Sequence, residues 1–466
     1  MNIARLNSPS LVAATHCLSK YDSPGPRYTS YPTANLFRQD IGQQQYLDLA
    51  SNEHLSIAPL SLYVHIPFCK NICYYCGCNK VVTKQSDAGR KYLDMLAIEL
   101  KARGALHGHR PVSQMHWGGG TPTFLDDGEL TELMHLIACH FNLDDGINRE
   151  YSIEIDPRAV EESTIALLKG IGFNRISMGI QDFDPFVQQA INREQSYDLV
   201  KQLSDSIRDH DFSSLSFDLI YGLPEQSVTS FNDTLDKVIT LNPDRISCYS
   251  YAHLPKRFPS QRSIDRLTLP SSDQKLAIFE MTIARLTAAG YQYIGMDHFV
   301  KPDDELAQAR KNRRLQRNFQ GYSTSLAADL IGVGPSSISQ FAGSYFQNEK
   351  NLDDYYNALN NQRLPVSQGF TMSEEDRLRN FVIMNIACQL SINFEEVKQK
   401  FDIDFQQHFA SSIKQLQPFI DDGLATISQS EISISEQGQL VLRNICMLFD
   451  EYLSTNPNEN SFSRTI

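Results

Sequence analysis

Residues 61–80 read S-L-Y-V-H-I-P-F-C-K-N-I-C-Y-Y-C-G-C-N-K, and the rest of the 466-residue chain is organised around them. Four of the nine cysteines fall in the second half of this stretch: Cys69, Cys73, Cys76 and Cys78. The first three are spaced C-x3-C-x2-C and follow a short strand-like run, residues 62–66, and the breaker Pro67. A loop of that length can fold three thiolates around one compact cluster. It supplies three ligands where a four-iron cubane takes four, which leaves one iron open to a non-protein ligand. The alternatives are a zinc knot or buried free cysteines. Zinc usually takes four protein ligands from two separated pairs, and no second Cys/His pair with that spacing follows.

Composition narrows the class. Hydrophobic residues make up 41% and charged residues 21%, an ordinary globular balance, in a chain long enough for more than one domain. The formal net charge of −13 argues against a general nucleic-acid or anionic-membrane binder. It leaves room for a local basic pocket and an anionic substrate. No apolar run approaches a membrane span. Residues 1–20 hold only the short apolar patch 11–14 and lack a secretory pattern. The crowded cysteines fit a reducing cytosol, and the scattered Cys17, Cys139, Cys248, Cys388 and Cys446 read as small buried hydrophobes.

Upstream, residues 21–33 (Y-D-S-P-G-P-R-Y-T-S-Y-P-T) hold three prolines and cannot be helical. A long aromatic loop carrying Arg27 reads as a lid across a pocket. Downstream, β-like runs at 62–66, 112–117, 151–155, 175–179, 215–220, 245–251 and 291–294 alternate with amphipathic helical stretches such as 90–102, 129–141, 161–169, 197–208, 230–240 and 272–289. Leu93, Leu96, Ala97 and Leu100 share one helical face. Alternation of this kind means a parallel sheet under covering helices. A barrel cut short and an open doubly wound sheet both remain possible. In either, the site lies past the carboxyl ends of the strands. Polar and glycine residues do collect there: the cysteine loop, Gly118-Gly119-Gly120-Thr121-Pro122, Glu154 with Asp156 and Arg158, Gln181, Asp218, Ala252 with His253, and Asp297 with His298.

The basic run 310–322 (R-K-N-R-R-L-Q-R-N-F-Q-G-Y) reads as a solvated helix face, with anion binding as the alternative. Residues 329–339 read as a further strand and turn. From about residue 350 the chain turns polar and helical, at 352–360, 374–389, 394–401, 404–420 and 437–453, with a small hairpin at 425–434. Helices followed by a wing resemble a winged-helix module, and the acidic balance favours a capping role over DNA binding.

The C-x3-C-x2-C loop after a strand resembles that of the radical S-adenosylmethionine (SAM) enzymes. The longer string Y-V-H-I-P-F-C…C-Y-Y-C-G-C-N-K is similar to the oxygen-independent coproporphyrinogen III oxidases (dehydrogenases) of haem biosynthesis. A sibling family of haem-binding chaperones shares H-I-P-F-C and the three cysteines but lacks the fourth, so Gly77, Cys78 and Asn79 favour the oxidase. The resemblance runs from Tyr21 to Arg464 and is weakest over residues 311–316 and the C-terminal region.

The fold it implies is α/β: a partial (β/α)6 radical SAM barrel over residues 61–345, an N-terminal lid over 1–60, and a mainly helical, winged-helix-like domain over 346–466. It implies one 4Fe–4S cluster on Cys69, Cys73 and Cys76, with SAM chelating the open iron. It also implies two SAM molecules contacted by Tyr63, Gly119, Gly120, Thr121, Glu154, Gln181, Arg193, Asp218, Ala252 and Ile338. The reaction implied is anaerobic conversion of two propionates of coproporphyrinogen III to vinyl groups, giving protoporphyrinogen IX, by a SAM-derived 5′-deoxyadenosyl radical. No side chain then has a catalytic acid–base role. Arg27, Arg262 and the arginines of residues 310–317 are candidates to hold the propionates. Cys78 is read as a near-site residue and not a ligand. The implied setting is a cytoplasmic monomer fed by a small electron-donor protein such as a flavodoxin or ferredoxin, with no nucleic acid and no membrane span.

Overall fold

The computed structural model describes residues 18–52, 56–85, 87–324, 329–455, 462 and 464–465. The expectations placed on Cys17 and on residues 11–14 lie outside them. The hydrophobic runs become parallel strands buried on both faces, as a sheet covered by helices requires. These are β1 (Leu60–Ile66), β2 (Pro111–Gly119), β3 (Glu150–Ile155), β4 (Arg175–Gln181), β5 (Ser214–Tyr221) and β6 (Arg245–Ser250). Two antiparallel strands, β7 (Gln292–Gly295) and β8 (His298–Val300), follow. Then come β9 (Asp329–Val333), β10 (Ile338–Phe341), β11 (Ser344–Asn348) and β12 (Val366–Thr371).

Seven of these are parallel neighbours in the order β9-β1-β2-β3-β4-β5-β6. The sheet ends in β8 and β7 on one side and in β10, β11 and β12 on the other. It does not close on itself, so the expected partial barrel is what forms. Register places Tyr63 of β1 between His116 of β2 and Gly332 of β9.

Four of the six covering helices described here begin on a side-chain cap. Helix α1 (Ala88–His107) packs against α2 (Asp127–His140), which opens on an Asp126/Glu129 capping box. Helices α3 (Glu162–Gly170), α4 (Tyr197–Asp209), α5 (Val228–Leu241) and α6 (Ser272–Ala288) follow in turn. Ser196 caps α4, and capping boxes start α5 and α6.

Three expectations are corrected. Residues 291–294 do not open another parallel unit: Met296 and Asp297 take positive φ and turn the chain straight back, leaving Asp297 and His298 at a hairpin. The basic run is not a solvated helix face. Its helix stops at Lys311, and Gln316–Asn318 pairs with Gly321–Ser323 as a hairpin. Arg310 is turned inward, donating to the carbonyls of Ile294 and Cys388. Cys248, Cys388 and Cys446 are buried as read, but Cys139 is exposed, on the solvent face of α2.

The C-terminal region packs α7 (Glu374–Gln389), α8 (Phe394–Phe401) and α9 (Ala410–Asp421) with a three-stranded sheet made of Ser391–Asn393, Ala425–Ile427 and Glu431–Ile434. Phe409 breaks the expected helix 404–420, and the expected helix 437–453 forms as separate short turns. Residues 21–33 run against this region. Pro24 bridges Arg464, and the Arg443 guanidinium donates to the carbonyls of Gly25 and Pro26 at 2.5 and 3.1 Å.

Candidate active site

Pro67 turns the chain out of β1, and Phe68–Cys69 then pairs with Val81–Val82, closing the cysteine loop at its base. Backbone carbonyls along the loop are held from outside. Asn192 donates to Ile72 O at 2.7 Å, Gln261 to Tyr75 O at 2.9 Å, and Ser260 and Lys80 to Cys76 O at 3.1 and 3.0 Å. Cys69, Cys73, Cys76 and Cys78 all line one cavity of about 290 Å³ at the carboxyl ends of the strands.

Donors surround the thiols. The Thr121 hydroxyl lies 3.5 Å from Cys69 Sγ, and Arg158 Nη2 and Arg193 Nη1 lie 3.4 and 3.6 Å from Cys73 Sγ. Asp156 fixes both guanidiniums, at 2.7 Å from Arg158 and 2.9 Å from Arg193. Such N–H and cationic partners can support the negative charge of metal-bound sulfur. Burial pushes the Cys69 thiol up to about 11. A hydrogen bond from Cys78 draws Cys76 down and pushes Cys78 up, which leaves Cys76 the readier thiolate of the two. Among the described residues no three His, Cys, Asp or Glu side chains close on a single ion. The three thiols instead spread around one cavity, the arrangement a multi-iron cluster needs and a zinc knot does not. Arg193 also keeps its Nε buried without a partner beside this cavity. The donor set therefore fits a cluster with an anionic group next to it.

The glycine triplet after β2 works by close approach. A Cβ on Gly120 would lie 2.6 Å from Phe68 O, and one on Gly118 would lie 2.8 Å from the Glu154 carboxylate. Gly119 has φ of 110° and packs on the His65 ring. Backbone bonds from Gly120 N to Ile66 O and from Thr121 N to Phe68 O, both 2.8 Å, weld this turn to the cysteine loop. Glu154 accepts from His116 Nε2 at 3.0 Å. Burial opposes its charge, yet the His116 contact holds it below the usual carboxylate range. Asp218 is pushed up to about 6 by burial and by the neighbouring Glu154 charge.

Of the residues read from sequence, Cys69, Cys73, Cys76, Gly119, Gly120, Thr121, Glu154, Gln181, Arg193 and Asp218 line the cavity together. Tyr63, Ala252 and Ile338 do not. Tyr63 stacks on His116 and bonds His65, Ala252 gives its carbonyl to Gln261, and Ile338 lies at the start of β10. Asp156 and Arg158 were visible only as strand-end polar residues, and their grip on Cys73 could not be read. Lys80, which closes the C-G-C-N-K string, also lines the cavity, as do Ser177 and Tyr249, which were not singled out. For Ser177 and Tyr249 the strand-end rule was the available signal. A smaller chamber of about 160 Å³ adjoins and shares Glu154, Ser177, Asp218 and Tyr249.

Comparison with known proteins agrees with this geometry. Residues 63–238 match the Radical SAM superfamily model, and residues 372–441 match the HemN C-terminal domain. The chain is 47% identical over 451 residues to the oxygen-independent coproporphyrinogen III oxidase of Pseudomonas aeruginosa, covering 96% of this chain and 98% of that one. It is 45% identical over 449 residues to the Escherichia coli protein of the same name, covering 96% and 97%. The solved structure of coproporphyrinogen III oxidase (HemN) from Escherichia coli, described as a radical SAM enzyme, superposes with a TM-score of 0.90 over 94% of this chain and 99% of that one. With relatives this similar along nearly its whole length, the chain belongs to the oxygen-independent coproporphyrinogen III oxidase family of radical SAM enzymes.

Proposed function

We propose that this chain carries out the oxygen-independent oxidative decarboxylation of two propionate side chains of coproporphyrinogen III to vinyl groups, giving protoporphyrinogen IX. The observation that carries the reading is the convergence of Cys69, Cys73 and Cys76 on one cavity welded to the Gly118-Gly119-Gly120 turn. Family membership implies a 4Fe–4S cluster and SAM, which when bound supply the radical that abstracts hydrogen from a propionate β-carbon. The chain's own residues position and exclude water. Cys69, Cys73 and Cys76 would hold the cluster, with Thr121, Arg158 and Arg193 supporting their sulfurs. A first SAM would rest against the glycine turn and Glu154. A second would extend into the adjoining chamber past Asp218, which shares its walls with the cluster cavity.

Two of the propionate candidates are favoured by what surrounds them. Arg262 is exposed and donates to Pro255 O, and Arg310 is committed to backbone carbonyls. Arg27 of the lid lies over the Tyr249 ring at 5.6 Å and 3.7 Å from Asp297. Arg317 sits over Tyr322 at 4.7 Å and keeps Nε and Nη1 buried without partners. His298, pushed down to about 3 by burial first, feels the field of both guanidiniums. Arg27 and Arg317 are therefore assigned to the propionates.

A small reduced carrier, flavodoxin or ferredoxin in type, is proposed as electron source for a monomer working in the cytoplasm. The eight described cysteines are all free, which fits a reducing compartment. No helix among the described residues is long and apolar enough to cross a membrane. The lid, barrel and helical module remain the proposed divisions. The join is moved to about residue 372, because β12 completes the large sheet and the C-terminal family match begins there.

Anaerobic reconstitution with iron, sulfide, reductant, SAM and coproporphyrinogen III tests the reading. Protoporphyrinogen IX and 5′-deoxyadenosine are expected. Their absence alongside stable haem binding would give the chain to the haem-chaperone sibling family. Ala at Cys69, Cys73 or Cys76 should abolish cluster iron, and full iron in any of these variants removes that ligand.

A further inference from the structure

The cysteine loop is a thin wall with a cavity on each side. Cys76, Cys78 and Lys80 line the inner cavity that would hold cluster and SAM. The same three residues also floor an outer cleft of about 690 Å³. Arg257 and Phe258, past the end of β6, form one of its sides, and Lys350, past the end of β11, forms another. The cleft's charge runs against the molecule's. The chain carries a net −13, yet among the described residues Lys80, Arg257 and Lys350 line the cleft and no carboxylate does. Arg257 and Lys350 are exposed, and Val82 on the rim is 43% exposed. Gly77 places no side chain between the loop tip and the Phe258 ring, where a Cβ would come within 3.0 Å.

We infer that this outer cleft is the docking face for a small acidic one-electron carrier protein, which delivers its electron across the loop at Cys76. The inference rests on the functional reading above, because only a chain that needs external electrons has use for such a face. SAM would occupy the inner cavity, which leaves the outer cleft as the face of the loop open to a protein donor while the site is filled. Opposite charge steers encounter and fixes orientation, and it serves speed more than final affinity. The transfer moves one electron from the carrier's reduced centre to the oxidised cluster. No bond forms or breaks at the cleft and no proton is required.

The test uses the anaerobic, cluster-loaded chain and its Arg257→Glu/Lys350→Glu variant, with reduced flavodoxin as acidic protein probe and photoreduced deazaflavin as small neutral reductant. The variant should bind flavodoxin about tenfold more weakly by titration calorimetry, and flavodoxin should reduce its cluster about tenfold more slowly. Both differences should shrink as salt rises. Cluster content and reduction by deazaflavin should be unchanged. Equal flavodoxin binding and reduction in the two proteins overturns the inference. So does a parallel slowing with deazaflavin, and so does failure of flavodoxin to bind the unaltered chain. Product formation driven by deazaflavin tests the catalytic reading separately.

Discussion

A guanidinium with two buried N–H groups and no acceptor, as at Arg317, carries a desolvation cost that a carboxylate would relieve. Arg317→Met should lower kcat/KM for coproporphyrinogen III by about 10- to 100-fold, mainly through KM, with cluster iron unchanged. Arg317→Lys should recover only part of this, because the planar fork is lost. A change below about twofold would remove Arg317 from substrate binding. Asp182 makes a different residue-level case. It is fully buried, and burial pushes it up to about 6 although Thr234, Gln226 and the Asp184 N–H donate to it. Its folded-state pKa is raised, so the folded chain holds this proton more tightly than the unfolded one. The stability tied to Asp182 is then present below about pH 4 and is lost as pH rises through about 6, a change of about 3 kcal/mol. Denaturant unfolding of the original chain and Asp182→Asn across that window should show their difference falling with pH. A flat difference refutes the assignment.

Among elements, the parallel strands were legible because apolar residues recur along each at buried positions between amphipathic helical stretches, and the observed ends of β1 to β6 lie within two residues of the sequence reading. Apart from β7, the antiparallel flanking strands were not. β8 and β10 are three and four residues long, too short for a period, and they exist because a neighbour's open edge pairs with them. The site followed the same division. Arg193 and Gln181 stood out by motif, whereas Arg158 reaches Cys73 only because Asp156 folds it back. The tie between α1 and the far end of the sheet was also invisible. Glu99 accepts from Arg103 at 3.0 Å, Asn348 at 2.8 Å, Tyr355 at 2.6 Å and Gly334 N at 2.8 Å, all in a fully buried setting. Glu99→Ala strands the Arg103 charge and should cost about 3–5 kcal/mol in denaturant unfolding, whereas Glu99→Gln should cost clearly less. Equal losses would mean that packing, not charge, holds this joint.

At the scale of the whole molecule, the two ends of the described chain are tied to each other. Arg443 grips Gly25 and Pro26 and also donates from Nη1 to the carbonyls of Arg464 and Thr465, each at 3.2 Å. Arg443→Met should loosen residues 21–33 by about 2 kcal/mol, read as roughly 30-fold faster limited proteolysis there, with cluster iron retained. Unchanged cleavage would show that the lid is held elsewhere. Partners in this clasp stand 417 residues apart in the chain. On the ribosome, residues 21–33 emerge long before Arg443 and wait without their anchor while the cysteine loop and the strands beside it are made. The clasp is therefore among the last contacts the growing chain can complete.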